Sequence, residues 1–234
     1  GHLGPRKLGA ASPRIAAMPM LLDDGKVALK AYRFAAAYEI FMELARNEDQ
    51  HAIMYLGDML MNGQIIGDQL TELQAFLGKE AKRGWGAVFF NLGAMYERGL
   101  TVEKDLNMAI FYYNQACDQL VPQAHVNLAY IYTNQEPLNI PRALQHLQEA
   151  IDLGSTNACN TLGLMYMNGK SVEKDLTKAF GYLMAAAREK NEEAKKNLYL
   201  LQTLYPMNDF KDGKDLASEI IIKMANSRDR YGPT

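Results

Sequence analysis

The stretch TVEKDLNMA, Thr101 to Ala109, returns as SVEKDLTKA, Ser171 to Ala179, and this recurrence constrains the fold more than any other feature. Ahead of each copy stands a Leu-Gly-x-x-Tyr element, Leu92, Gly93 and Tyr96 in the first, Leu162, Gly163 and Tyr166 in the second. The offset of 70 residues is too long for one structural unit and suits two. Taking the position four residues before the Leu-Gly pair as an anchor gives Ala52, Val88, Ala124, Ala158 and Ala194, at intervals of 36, 36, 34 and 36. A second series fifteen residues upstream, Ala37, Leu73, Ala109, Ala143 and Ala179, repeats the same irregular intervals. Two series sharing one irregular step define a repeat array, in which each unit buries its apolar face only against its neighbours. The short unit has lost two residues in its inner loop, Thr133 to Ile140.

Read in order, residues 18 to 25 form a loop-like lead with Pro19 and Gly25 as breakers. Apolar residues at three- and four-residue spacing then predict one long helical stretch from Lys26 to Asn47, holding the second helix of an incomplete first unit. Helix pairs follow. First helices are expected near 49–61, 87–97, 123–133, 157–167 and 192–203, second helices near 69–83, 106–119, 141–153 and 176–190. After the break at Tyr205, Pro206 and Met207 a terminal helix is expected near 214–226. Asp105, Asp175 and Asn139 precede second helices, where a side-chain oxygen accepts from orphan backbone amides. Gly99 and Gly169 sit where a left-handed residue closes a helix without a Cβ penalty. Gly57, Gly93 and Gly163 lie mid-helix at a cost of about 1 kcal/mol each against alanine, so a close helix approach is expected there. Tyr96, Tyr132 and Tyr166 are expected to fill the space between units, and Asn91, Asn127 and Asn197 to hydrogen-bond between helices.

This pattern resembles the Sel-one-like repeat (SLR) family, a relative of the tetratricopeptide arrays. The resemblance rests on the anchor alanine, Leu-Gly-x-x-Tyr, the turn glycine, Val-x-x-Asp (Val102 to Asp105, Val172 to Asp175) and an Ala-rich second helix ending in Ala81, Ala116, Ala150 and Ala186. It covers about Ala37 to Leu204 and departs at the Ala124 unit, which lacks the turn glycine, and at Leu198-Tyr199. It implies an all-α, right-handed solenoid of antiparallel helix pairs, a tetratricopeptide-like superhelix with first helices lining its concave face. It also implies a scaffold or adaptor that binds partner proteins, bacterial relatives included. The chain is accordingly divided into a lead (1–25, flexible or vector-derived), a repeat domain (26–226) and a flexible tail (227–234).

Composition narrows the partners. Basic and acidic residues number 25 and 27 in all, and residues 51 to 187 carry nine basic against thirteen acidic side chains. With no basic stripe, nucleic acid and anionic membrane surfaces are poor partners, and no apolar run has the roughly 18 residues of a spanning helix. No export signal opens the sequence. A natural start at Met18 would favour the cytoplasm, and a trimmed signal the periplasm or export. Cys117 and Cys159 fall in different repeats, too far apart to bridge, and read as two free thiols.

Chemistry is sparse. The histidines His2, His51, His125 and His146 form no His-x-x-x-His pair, and no nucleophile elbow or phosphate-cradling loop is present. A cysteine-rich branch of the family pairs cysteines where Cys117 faces His125 and Cys159 faces Ile151, and some of its members bind penicillin-type compounds. Both pairs are half lost here. The expectation is therefore a non-enzymatic module without cofactor, metal or small-molecule substrate. It would hold a protein or peptide in the concave groove by Met54, Asp58, Phe90, Glu97, Arg98, Val126, Tyr130, Asn134, Asn157, Asn160, Leu164 and Met167. The alternatives are an immunity-type partner of a secreted toxin, a virulence effector meeting host proteins, or a β-lactam-binding enzyme.

Overall fold

The computed structural model describes residues 21–231; the lead up to residue 20, with Met18 and Pro19, lies outside them, as do residues 232–234. All regular structure among the described residues is helical. α1 spans Leu22–Lys30, α2 Phe34–Arg46, α3 Gln50–Met61 and α4 Asp68–Glu80, which ends in a 3-10 turn, Ala81–Arg83. α5 spans Gly86–Arg98, α6 Leu106–Asp118, α7 Pro122–Asn134 and α8 Ile140–Asp152. α9 spans Thr156–Asn168, α10 Leu176–Arg188, α11 Glu192–Leu204 and α12 Lys211–Tyr231. Odd-numbered helices from α3 to α11 are first helices of the repeat and even-numbered ones from α2 to α10 are second helices. Consecutive helices pack on one another through most of the array, α5 with α6, α7 with α8 and α9 with α10 above all, and α3 lies against α5, giving an all-α solenoid of antiparallel helix pairs.

The ten positions of the two repeat series are all fully buried, each at 0% exposure. The punctuation works as the sequence implies. The Asp105 carboxylate accepts from the amides of Asn107 and Met108 at 2.9 and 3.1 Å, Asp175 from Lys178 at 2.9 Å and Asn139 from Arg142 at 3.1 Å. Gly99 and Gly169 close α5 and α9 at φ of 66° and 65°. Between α7 and α8 only residues 135–139 remain, whereas residues 99–105 and 169–175 link the fuller pairs.

The mid-helix glycines sit at close contacts. A Cβ on Gly93 would lie 2.6 Å from the Tyr113 ring, and one on Gly163 2.6 Å from Leu183, each on the paired second helix. At Gly57 the intruding residue is Phe90, at 2.7 Å, from the first helix of the next unit. The repeated tyrosines stack inside units rather than between them. Tyr96 lies on Tyr112 and Tyr166 on Tyr182, with ring centroids 5.7 and 6.0 Å apart, and Tyr132 lies on His146 at 5.8 Å.

Three expectations need correction. The stretch from Lys26 to Asn47 breaks at Tyr32, whose φ is 57°, so that α1 folds back on α2. Gly25 is not a breaker: it is a buried member of α1, and its missing side chain admits the Phe41 ring. The repeat body extends beyond 26–226 at both ends, because α1 begins at Leu22 and α12 runs to Tyr231. α12 does not pair with α11. It lies across α10 and touches α8, with Gly181 against Leu216 and Gly213 against Phe180, burying Ala217, Ile220 and Met224.

These contacts predict opposite outcomes for two glycines in one background. Gly93→Leu should destabilise by about 2 kcal/mol, because hydrogen bonds to Glu97 and Asn127 hold the Tyr113 ring. Gly78→Leu meets nothing within 4 Å and should be neutral or stabilising, by up to about 1 kcal/mol. Urea unfolding of both variants checks the pair.

Candidate functional site

The twelve residues expected in the groove do not form one surface. Phe90, 2% exposed, belongs to the core: it fills the notch at Gly57 and tilts against Tyr113 with centroids 5.8 Å apart. Met167, 7% exposed, packs with Phe180, Leu183 and Leu201. Both are corrections to the sequence reading, and both have one cause. Side chains two and nine residues after an anchor are covered wherever a neighbouring helix comes close, a distance no single unit encodes.

Glu97 and Arg98 are engaged in holding units together. The Tyr113 hydroxyl donates to Glu97 at 2.6 Å and accepts from Asn127 at 3.1 Å, a chain running through α5, α6 and α7. Burial raises the Glu97 carboxyl above its usual range, opposed by the Tyr113 hydrogen bond. Arg98 donates to the Met61 carbonyl at 2.7 Å, satisfying an end of α3. The repeat asparagines behave as expected. Asn91 donates to the Ile53 carbonyl across helices at 2.9 Å, and Asn197 to Asn160 at 2.8 Å. The Asn157 oxygen likewise accepts from Asn191 at 2.9 Å.

The remaining residues gather in two hollows along the first helices. Val126, Tyr130, Asn134 and Leu164 line a hollow of about 300 Å³ between α7 and α9, with Thr161, Met165 and Asn168 completing it. Tyr130 stands 57% exposed above an apolar floor. Met54 and Asp58 line a larger hollow of about 770 Å³ nearer the start of the array, with His51, Tyr55, Trp85 and Gln123. Burial alone pushes the Asp58 carboxyl up to about 6, and no side chain or amide among the described residues donates to it. A desolvated, unpartnered carboxylate in an open hollow favours a ligand that brings a hydrogen-bond donor or a cation.

The two thiols are free, as the spacing required. Cys117 does lie beside His125, but burial, followed by the charges of Glu149 and Asp118, pushes its thiol up to about 12. Burial and charge of this kind disfavour the reactive free thiolate. What the sequence reading missed is His146, from α8, which joins this pair at a further hollow that meets the Met54 and Asp58 hollow at Leu120 and Leu153. The only signal was that His146 occupies the repeat position of Tyr112 and Tyr182, three after the second-series alanine.

Among the described residues no helix is long and apolar enough to cross a membrane. The chain is similar in fold to a solved Sel1 repeat protein from Oxalobacter formigenes, with 24% identity, a TM-score of 0.57 and coverage of 88% of this chain and 84% of that one. A second solved structure is c5321, described as a protective antigen in uropathogenic Escherichia coli strains displaying an SLR fold. It is 17% identical with a TM-score of 0.43, and the match covers 91% of this chain but only 56% of c5321. The Sel1 repeat family model matches residues 50–70, 90–119, 122–155 and 156–191, more than half of the sequence and in register with the helix pairs, and the chain belongs to the Sel1 repeat family.

Proposed function

We propose that this protein is a non-enzymatic binding module that holds an extended peptide segment of a partner protein along its first-helix face. Sel1 repeats usually act as protein-interaction scaffolds. For this chain the reading is carried by one observation: the register six residues after the anchor, held by Asp58 on α3 and by buried Ala94 on α5, is apolar and open on the last three first helices, α7, α9 and α11. Tyr130 and Leu200 there are 57% and 44% exposed, and Leu164 between them edges the hollow under Tyr130. Exposed aromatic and branched residues over a small apolar hollow suit the side-chain anchors of a peptide, and the Asn168 amide and the Asn134 side-chain oxygen, whose Nδ2 donates to the Tyr130 carbonyl, stand at its rim to pair with a backbone. The Asp58 hollow supports a preference for a basic residue on the same peptide, in keeping with the acidic middle of the chain. A scaffold or adaptor role follows. An immunity-type or effector role would need the same groove and a basic partner.

A peptide-display library selected on the immobilised protein tests this reading. Selected peptides should carry an apolar anchor and bind Tyr130→Ala combined with Leu164→Ala at least about thirtyfold more weakly, the loss of a hot-spot contact of about 2 kcal/mol. Unchanged affinity in the folded double variant would move the site elsewhere. Phe90→Ala, by contrast, should damage the fold by about 3–5 kcal/mol, as a core truncation does.

Asp58 predicts a pH signature in the free protein. Its folded pKa is raised above the unfolded value, so folding costs nothing through this group below about pH 4. Stability is lost as the pH rises from there through about 6. Asp58→Asn should therefore stabilise the protein by about 1–3 kcal/mol at pH 7.5 and by far less at pH 4. Equal thermal unfolding of variant and parent at both pH values would show that the carboxylate is not desolvated.

A further inference from the structure

Where α6, α7 and α8 meet, four side chains that can ligate a metal converge. The Nδ1 atoms of His125 and His146 are 3.0 Å apart. The Glu149 Oε2 lies 3.1 Å from the first and 3.4 Å from the second. The Cys117 sulfur lies within 4.8 Å of a ring nitrogen on each histidine. A tetrahedral zinc with bonds of about 2.0–2.1 Å to nitrogen and 2.3 Å to sulfur holds its ligand atoms roughly 3.3–3.6 Å apart. The two Nδ1 atoms and the carboxylate oxygen are already close to that spacing, with the sulfur within 4.8 Å of both rings.

Hydrogen bonds alone do not satisfy it. Three atoms in mutual contact, two Nδ1 and one carboxylate oxygen, have at most two N–H protons to share. With one proton, the bare Nδ1 and the carboxylate face each other lone pair to lone pair. With two, the N–H groups face each other. A cation at the centre satisfies all the lone pairs at once. The carboxylates of Glu149 and Asp118, which disfavour a free thiolate, together supply the negative field a dication needs.

The surroundings fit as well. The other Glu149 oxygen, Oε1, accepts from Gln145 at 2.9 Å. The Tyr132 ring lies parallel to His146, with 5° between planes, and so fixes the imidazole. Outer contacts of this kind orient metal ligands. A cavity of about 750 Å³ opens onto the cluster past Lys223 and Asn226 of α12, providing an entry path.

We propose that Cys117, His125, His146 and Glu149 form a binding site for one divalent cation of the zinc class. The mixed sulfur, nitrogen and oxygen set favours zinc over magnesium or calcium. The site joins the unit whose inner loop is two residues short, α7 and α8, to α6 of the unit before it, and the metal acts there as a clasp between the three helices.

The test uses the full chain, stripped with a chelator and titrated with Co²⁺, then competed with Zn²⁺. One equivalent of Co²⁺ should give the strong visible absorption of a four-coordinate site and a thiolate-to-cobalt charge-transfer band in the near ultraviolet. Cys117→Ser should abolish that band and Cys159→Ala should keep it. Glu149→Gln should weaken Co²⁺ affinity about tenfold or more. Zn²⁺ at a hundredfold excess over its dissociation constant should raise the melting temperature by roughly 5–10 °C in the parent. Weak absorption that is alike in parent and variants, or a charge-transfer band that survives in Cys117→Ser, overturns the site. Circular dichroism establishes that each variant is helical. If Cys117→Ser is not, Glu149→Gln decides alone, and unchanged affinity there overturns the proposal.

Discussion

Everything in this structure depends on how closely helices approach where side chains are missing. The ten repeat positions that define the array are alanine, valine or leucine and fully buried, and the helix-centre glycines admit a ring or a branched chain from the facing helix. No unit can bury these faces alone, so each interface is at once the fold and the stability of its neighbours. The approach differs along the array. At Gly57 the intruder comes from the next first helix, so Phe90 is swallowed into the core. Between α7 and α9 Ala129 stands where the glycine would be, and the first-helix face opens into the hollow under Tyr130. One residue class at one repeat position thus helps decide where the solenoid is core and where it is surface.

The sequence made the architecture legible because its signals are periodic and local. Caps at Asp105, Asp175 and Asn139 act within three residues, and the anchor series needs only counting. What it hid depends on approach between units. Phe90 and Val126 share a repeat position, yet one is core and the other lines a hollow: Phe90 fills the notch at Gly57, whereas the matching notch at Gly93 is filled by Tyr113 of the paired helix. Gly25 read as a breaker because glycine has two meanings, and only the Phe41 ring opposite selects the second. The cluster at Cys117 was invisible to a search for spaced histidines on one helix. Its members come from three helices and four repeat positions, joined only once the stack exists.

The free ends show the same logic in reverse. A solenoid that stopped after α11 would leave the second-helix row of α8 and α10 open to water, with Ile151, Cys159 and Ala186 near the edge. α12 covers that row instead of pairing with α11. It is seated by a reciprocal pair of glycine contacts and by the Phe180–Phe210 stack at 4.4 Å, and held at its far end by an Arg228–Glu189 ion pair. The consequence falls on the other face. With no second helix behind it, α11 keeps Tyr199, Leu200 and Leu204 exposed at 74%, 44% and 56%. Leu200 and Leu204 continue the open register that begins at Tyr130 and Asn134. Capping by the second-helix row closes the core while leaving the first-helix face of α7, α9 and α11 open, the surface on which a peptide is proposed to lie.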